Sequence, residues 1–291
     1  MRVMPPEWHR HERTWVAFPT SGYTLGETEG EKEAARKTWA SVANAASEFE
    51  RVSVVVNPGD EAIAKKYLSS ACEIIPIPID DAWIRDTGPT FVFEDKELAA
   101  VDWVFNGWGA QGWAKFEKDQ ELAKEIAKLA GARLVSSPLV NEGGGIHVSG
   151  SGKVLLTDTV QLGKGRNPKL SREEVEAEIH DKLGTSEAIW FKRGLTRDYE
   201  EFGTQGHVDI VACFAPDGRI IYHDQRNPNH PDYLVSAEVR EQLLRAGFEL
   251  LALPAPTIQK DSEGYVDFSY VNHYVLNQAV LLCSFNDEKD K

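Results

Sequence analysis

Apolar residues fall along this chain in two alternating rhythms. Short apolar runs interrupted by tight polar turns predict strand–turn–strand units. They are Phe91-Val92-Phe93 before Leu98 to Val101, Val154-Leu155-Leu156 after Ser151-Gly152, and Val211 to Phe214 joined across Asp217-Gly218 to Ile220-Ile221-Tyr222. Between these units the period lengthens to that of a helix, over Glu31 to Phe49, Glu117 to Ala130, Ser171 to Leu183 and Ser236 to Ala246. Leu122, Ile126 and Leu129 are expected on one inward face, and Val175, Ile179 and Leu183 form a second stripe at helical spacing. Ser171 with Glu174 three residues on makes a capping box, and Gly131, Gly184 and Gly247 stand where helices should stop. Single strands at Trp15 to Phe18, Val52 to Val56 and Glu249 to Leu253 complete the units, so the pattern predicts an α/β chain of roughly four ββαβ-like modules. The tail, Asn286 to Lys291, reads as the start of another helix.

The modules also repeat in their chemistry. Asp86, His147, His207 and His273 each open a hairpin-like stretch at intervals of about 60 residues, and Arg166-Asn167-Pro168 returns at the same interval as Arg226-Asn227-Pro228. Repeats set around an axis bring equivalent strand starts to the centre, gathering acids and histidines that are far apart in sequence. No linker rich in Ser, Gly or Pro divides the chain, so residues 1–291 are expected to form one domain.

Composition narrows the function. A net charge of −14 argues against a nucleic-acid partner and is compatible with a small cationic substrate, although an acidic surface first of all confers solubility. Met1 to Trp15 has no apolar signal core and no later run approaches a membrane span, so a soluble cytoplasmic protein without a membrane partner is expected. Three cysteines, with no C-x-x-C pair, make neither a disulfide framework nor a structural zinc site. No metal and no cofactor are expected, and a homo-oligomer is left open.

Three stretches carry candidate chemistry. Asp80 to Pro89 follows the strand-like Ile74 to Ile79 and sets Asp81, Trp83 and Asp86 at a strand end or loop. Carboxylates match the planar donor fork of a guanidinium, and an indole face adds a cation–π attraction of about 0.5–2 kcal/mol. An Arg85 salt bridge plus a turn acid is the plainer alternative. In Gly206-His207-Val208-Asp209 the imidazole and carboxylate are two apart, hence on one face of an expected strand, where the acid favours the protonated ring that a general acid needs. Glu142, ahead of Gly143-Gly144-Gly145-Ile146-His147, could orient His207, while His147 reads equally well as a core-edge histidine. The turn is not a phosphate loop, because no lysine follows in the required position. Trp108 and Trp113 read as core, lid or substrate wall.

Five ordered motifs together resemble the agmatine deiminase family of pentein-type, guanidine-modifying enzymes, which include bacterial-type peptidylarginine deiminases. They are Trp83-x-Arg85-Asp86-x-Gly88-Pro89, Glu142-Gly-Gly-x-Ile146-His147-Val148, Arg166-Asn167-Pro168, Gly206-His207-Val208-Asp209 and Tyr270-Val271-Asn272. The resemblance runs nearly end to end and implies a five-bladed α/β propeller around a central pocket. It implies that Asp86 and Asp209 bind the guanidinium, while Trp83, Asp81 and Trp108 are further candidate substrate contacts by their own chemistry. His207 would transfer protons and Glu142 would support it. The implied reaction, a step towards putrescine, hydrolyses agmatine to N-carbamoylputrescine and ammonia through a covalent intermediate on cysteine.

The family carries that cysteine in a C-terminal Gly-Gly-Gly-x-x-His-Cys segment, and no such segment occurs here. A truncated chain, a lineage lacking the last blade and completion by another chain are all open, as is the activity of the 291-residue chain by itself. Cys72 and Cys213 lie in apolar contexts expected to keep them inert. Counting across an Asn277-Gln278 turn puts Cys283 opposite Asn272, near the level of His273, so it alone could approach the pocket. Gln205 stands where the family often has an acid before Gly-His, which puts the local support of His207 in question. Three further readings remain: a peptidylarginine deiminase-like activity, a non-catalytic guanidine-binding protein, and a metal-dependent hydrolase using His207, Asp209, Asp86 and His147.

Overall fold

The computed structural model describes residues 1–290 and consists of five small sheets with helices packed against them. Three sheets follow one plan, in which an antiparallel hairpin is joined through a helix to a third strand that pairs parallel with the second. Thr90–Glu94 and Glu97–Val104 are followed by the helix Asp119–Leu129 and the strand Arg133–Val140. His147–Val148 and Lys153–Thr157 are followed by Arg172–Leu183 and Glu187–Phe191. Ala212–Phe214 and Ile220–Asp224 are followed by Asp232–Arg245 and Leu250–Pro254. A fourth sheet is the hairpin His273–Leu276 with Ala279–Leu282. The fifth, Arg13–Ala17, Arg51–Val56 and Cys72–Pro76, is wholly parallel and has no hairpin. The expected α/β modules are therefore present, three of them complete.

Local sequence explains these elements. Ser171 and Thr28 both cap their helices with reciprocal capping boxes, to Glu174 and Glu31. Gly184 ends its helix in the left-handed region at φ 67°, which costs glycine no Cβ clash. Val52, Val54, Val55 and Val56 are all buried, as a parallel strand covered on both faces requires. One face meets Ala40, Ala43 and Ala46 of the helix Glu29–Ala46, and the other meets Leu122 and Ile126. Val175, Ile179 and Leu183 are buried as a stripe between two sheets.

Several expectations need correction. Leu129 does not share the inward face of Leu122 and Ile126; it is 54% exposed, while Ile126 and Ala127 of the same last turn stay buried. Asp86 lies on a one-turn helix, Ile84–Thr87, rather than on a strand end or loop. His207 and Asp209 are not on a strand at all. The backbone turns at Gln205 (φ 71°) and Gly206 (φ 108°), and the amides of Thr204, Gly206 and His207 bond to the carboxylate of Asp198 instead of to a sheet ladder. In the tail the described part is a short 3-10 turn, Glu288–Asp290, and Lys291 lies outside the described residues. Among the described residues no helix is long and apolar enough to cross a membrane.

Candidate active site

Four polar side chains from three modules converge at the middle of the molecule. Asp86 comes from the one-turn helix, Glu142 from the residue before the Gly143–Gly145 turn, and His207 and Asp209 from the loop ahead of Ala212–Phe214. His207 Nδ1 stands 3.9 Å from Asp86 Oδ1, and His207 Nε2 stands 3.5 Å from Glu142 Oε2 without completing a hydrogen bond. Asp86, Glu142 and His207 are all buried, and Asp209 is half-buried.

The glycine turn allows this convergence. A Cβ on Gly144 would lie 2.4 Å from His207 Nδ1 and 2.7 Å from Asp209 Oδ2, so any other residue would push the imidazole and the acid away. The same glycine donates its N–H to Asp86 Oδ1 at 2.9 Å, and its carbonyl accepts from the Asp209 amide. Trp108 Nε1 donates to the other oxygen of Asp86 at 2.8 Å. Each carboxylate oxygen of Asp86 is thus oriented by one donor and keeps a lone pair for a ligand.

Charge follows from this packing. Burial works against an imidazolium at His207, but Asp86, Glu142 and Asp209 outweigh it and raise its pKa to about 9. Burial pushes Asp209 up to about 6, opposed by His207 and reinforced by Asp86. Burial would raise Glu142 too, yet Arg166 and His207 bring it below the usual carboxylate range. Arg166 and Glu142 form a wholly buried pair, with Arg166 Nε 3.0 Å from both carboxylate oxygens.

The other sequence candidates are placed differently. Asp81 accepts from the amides of Thr24 and Ala82, so its carboxylate is engaged by backbone and behaves as the turn acid of the plainer alternative. Trp83 is 40% exposed and meets Trp39 edge-on at 5.4 Å. Trp108 is buried, stacked on Trp113 at 5.3 Å, and contributes its N–H to Asp86. Trp113 in turn contacts Tyr23 and Phe202, which stack at 4.2 Å. His147 accepts from the Phe214 amide and lies 3.7 Å from Glu7, bracing two sheets against each other.

Burial raises all three thiols. Cys213 reaches about 12, and Cys72 moves in the same direction. Cys283 is an exposed residue whose thiol, partly shielded from water by its neighbours and facing the charge of Asp209, is raised as well; it donates to the Asn272 carbonyl at 3.3 Å, the position that counting across the turn gave it. No group of three or more His, Cys, Asp or Glu among the described residues is arranged to hold a metal ion, so the metal-hydrolase reading gains no support.

Three participants carried no assigned role in the sequence. Arg166 was visible only as part of a repeated Arg-Asn-Pro motif. Asp198 supports the His207 loop through backbone amides, supplying from seven residues upstream the acid that Gln205 does not. Glu7, in the polar N-terminal stretch, pairs with Arg85 at 3.1 Å. Burial opposes its charge, but Arg85 and His147 bring its pKa well below the usual carboxylate range. No spacing rule marks Asp198 or Glu7.

Comparison with known proteins places this arrangement. The model of the Porphyromonas-type peptidyl-arginine deiminase family matches residues 3–291. A Streptomyces coelicolor protein provisionally named an agmatine deiminase is 55% identical over 296 residues, covering 99% of this chain and 87% of that one. The agmatine deiminase of Ectopseudomonas mendocina is 33% identical, covering 99% and 84%. Among solved structures, the agmatine deiminase of Enterococcus faecalis superimposes with a TM-score of 0.89 at 29% identity, over 99% of this chain and 85% of that one. The fold is accordingly the α/β pentein type that the family resemblance implied, and the chain belongs to the Porphyromonas-type peptidyl-arginine deiminase family.

Proposed function

We propose that this site binds the guanidinium group of agmatine and hydrolyses it to N-carbamoylputrescine and ammonia. The observation that carries the reading is the meeting of two carboxylates with a charged imidazole, Asp86 Oδ1 lying 3.9 Å from His207 Nδ1 across the face of Gly144. A guanidinium is flat, positive and rich in N–H donors, and Asp86 and Asp209 offer oriented acceptors. Once a water oxygen has added to the guanidino carbon, His207, protonated at neutral pH, gives its proton to the departing nitrogen as the C–N bond breaks. It recovers a proton from the water whose oxygen ends on the guanidino carbon. Glu142 keeps the imidazole charged and correctly turned. The agmatine deiminases among the relatives favour agmatine over peptidyl arginine.

None of the three thiols is assigned the nucleophile's part, because neutral thiols are poor nucleophiles. A cytoplasmic location belongs to the same reading and is supported by three cysteines that are all free thiols. The test pairs calorimetry with a colour assay for the ureido product. Agmatine is expected to bind, putrescine, which lacks the guanidinium, is not, and product formed should survive Cys72→Ala, Cys213→Ala and Cys283→Ala. Equal binding of both diamines, with no ureido product, would sink the assignment.

A further inference from the structure

Arg166 touches neither of the two guanidinium-binding carboxylates. Its side chain is 1% exposed, that of Glu142 is fully buried, and its Nε donates to both Glu142 oxygens at 3.0 Å. Its Nη2 donates to the carbonyl of Thr204 at 2.7 Å. Thr204 in turn donates its amide and hydroxyl to Asp198, whose Oδ2 also accepts from the amides of Gly206 and His207. One guanidinium therefore grips both the acid beside His207 and the loop that carries His207.

We infer that Arg166 is a positioning residue that acts through Glu142, holding that carboxylate ionised and aimed at His207 so that the imidazole keeps its proton. The inference rests on the reading of His207 as the proton donor. Without a cation, a buried glutamate takes up a proton rather than remain charged. Glu142 is faced by Arg166 and His207. His207 is faced by Asp86, Asp209 and Glu142, and Arg85 stands behind Asp209, so Arg166 is the cation that Glu142 has to itself. The balance is a single proton: it sits on His207 while Glu142 is ionised, and loss of Arg166 draws it, or a second one from solvent, onto Glu142.

The experiment is carbon NMR of carboxyl-labelled glutamate in the full chain, with the Glu142 signal assigned by its disappearance in Glu142→Gln. In the native protein and in Arg166→Lys, Glu142 should stay ionised well below the normal glutamate range. In Arg166→Met and in Arg166→Gln, which retains a donor for Thr204 but no charge, its midpoint should rise by at least about one pH unit, a tenfold change in acid constant. In the deimination assay the acid limb of kcat should rise with it in the neutral variants and stay put in the lysine variant. A Glu142 midpoint unmoved in either neutral variant overturns the inference. So does a lysine variant displaced as far as the neutral ones, and so does a fall in kcat that is equal at every pH. Because the NMR arm needs no substrate, failure of agmatine turnover would remove the functional reading without touching this result.

Discussion

His207 and His223 belong to the same module, and both are 3% exposed, yet at neutral pH the first ring is charged and the second neutral. Burial opposes the charged ring in each. At His207 three carboxylates overcome it and the pKa reaches about 9, whereas at His223 burial and the nearby His230 act together, Asp224 alone resists, and the pKa falls to about 4. His223 has the neutral hydroxyl of Ser269 at 3.2 Å where His207 has Asp86 and Glu142. The lesson is that burial by itself does not mark a working histidine. Convergence of acids does.

The two rings also shape stability in different pH windows. Raised above its unfolded value, His207 contributes stability that is fully present below about pH 6.5 and is lost as pH rises through about 9. His223 is depressed, so the unfolded chain binds its proton first. Stability then falls as pH drops from about 6.5 towards about 4.

The largest way to break the contrast is to strip His207 of its acids. Glu142→Gln leaves Arg166 buried without a counter-charge, and breaking such a pair costs about 3–5 kcal/mol, to be read from denaturant unfolding at pH 7. The same variant should lower the His207 titration point by imidazole NMR. A variant as stable as the native chain, with His207 unmoved, would mean the acid cluster does not set that ring's charge. Next comes Asp86→Ala, which removes a charged hydrogen-bond acceptor worth about 1.5–3 kcal/mol to a ligand and so should weaken agmatine binding about 10- to 100-fold by calorimetry. Unchanged affinity would separate the histidine's charge from substrate recognition.

How far the sequence showed all this depends on the distance over which each feature is encoded. The hairpins, the capping box at Ser171 and the stop at Gly184 are local, and the repeat spacing carried Asp86 and His207 to one place although they lie in different modules, whereas the repeat's His147 braces two sheets and Glu142, just ahead of it, joins the site. What period-2 reasoning got wrong was the backbone under His207 and Asp209. Asp198 captures the amides that a strand would have used, and a side chain folding back over several residues leaves no periodic trace. The partnership of Arg166 with Glu142 was hidden for a related reason. Its repeat counterpart, Arg226, is an exposed residue paired with Asp224, so the motif marks a shared ancestry of loops and not a shared task.

A subtler test uses Asp209, whose own proton lies near neutrality. Burial holds its pKa at about 6, and a guanidinium arriving beside it favours the ionised form. Agmatine binding should therefore weaken about tenfold for each pH unit below about 6, with proton release on binding visible as a dependence of calorimetric heat on the buffer's ionisation enthalpy. Affinity that stays flat between pH 7 and pH 5 would show that Asp209 is already ionised, or that it does not meet the ligand.

The smallest expected effect falls on the other side of the comparison. His223→Gln keeps a polar partner for Ser269 but has no proton to gain, so the variant should lose less stability between pH 7 and pH 4.5 than the native chain does, by about 1–2 kcal/mol. The readout is that double difference and not the stability at pH 7, where replacing a buried ring costs something by itself. Asp267, which burial pushes up to about 6, and His230 titrate nearby in both proteins and cancel to first order. An unchanged double difference would mean that His223 is protonated in the folded state, and its contrast with His207 would then lie in geometry rather than in charge.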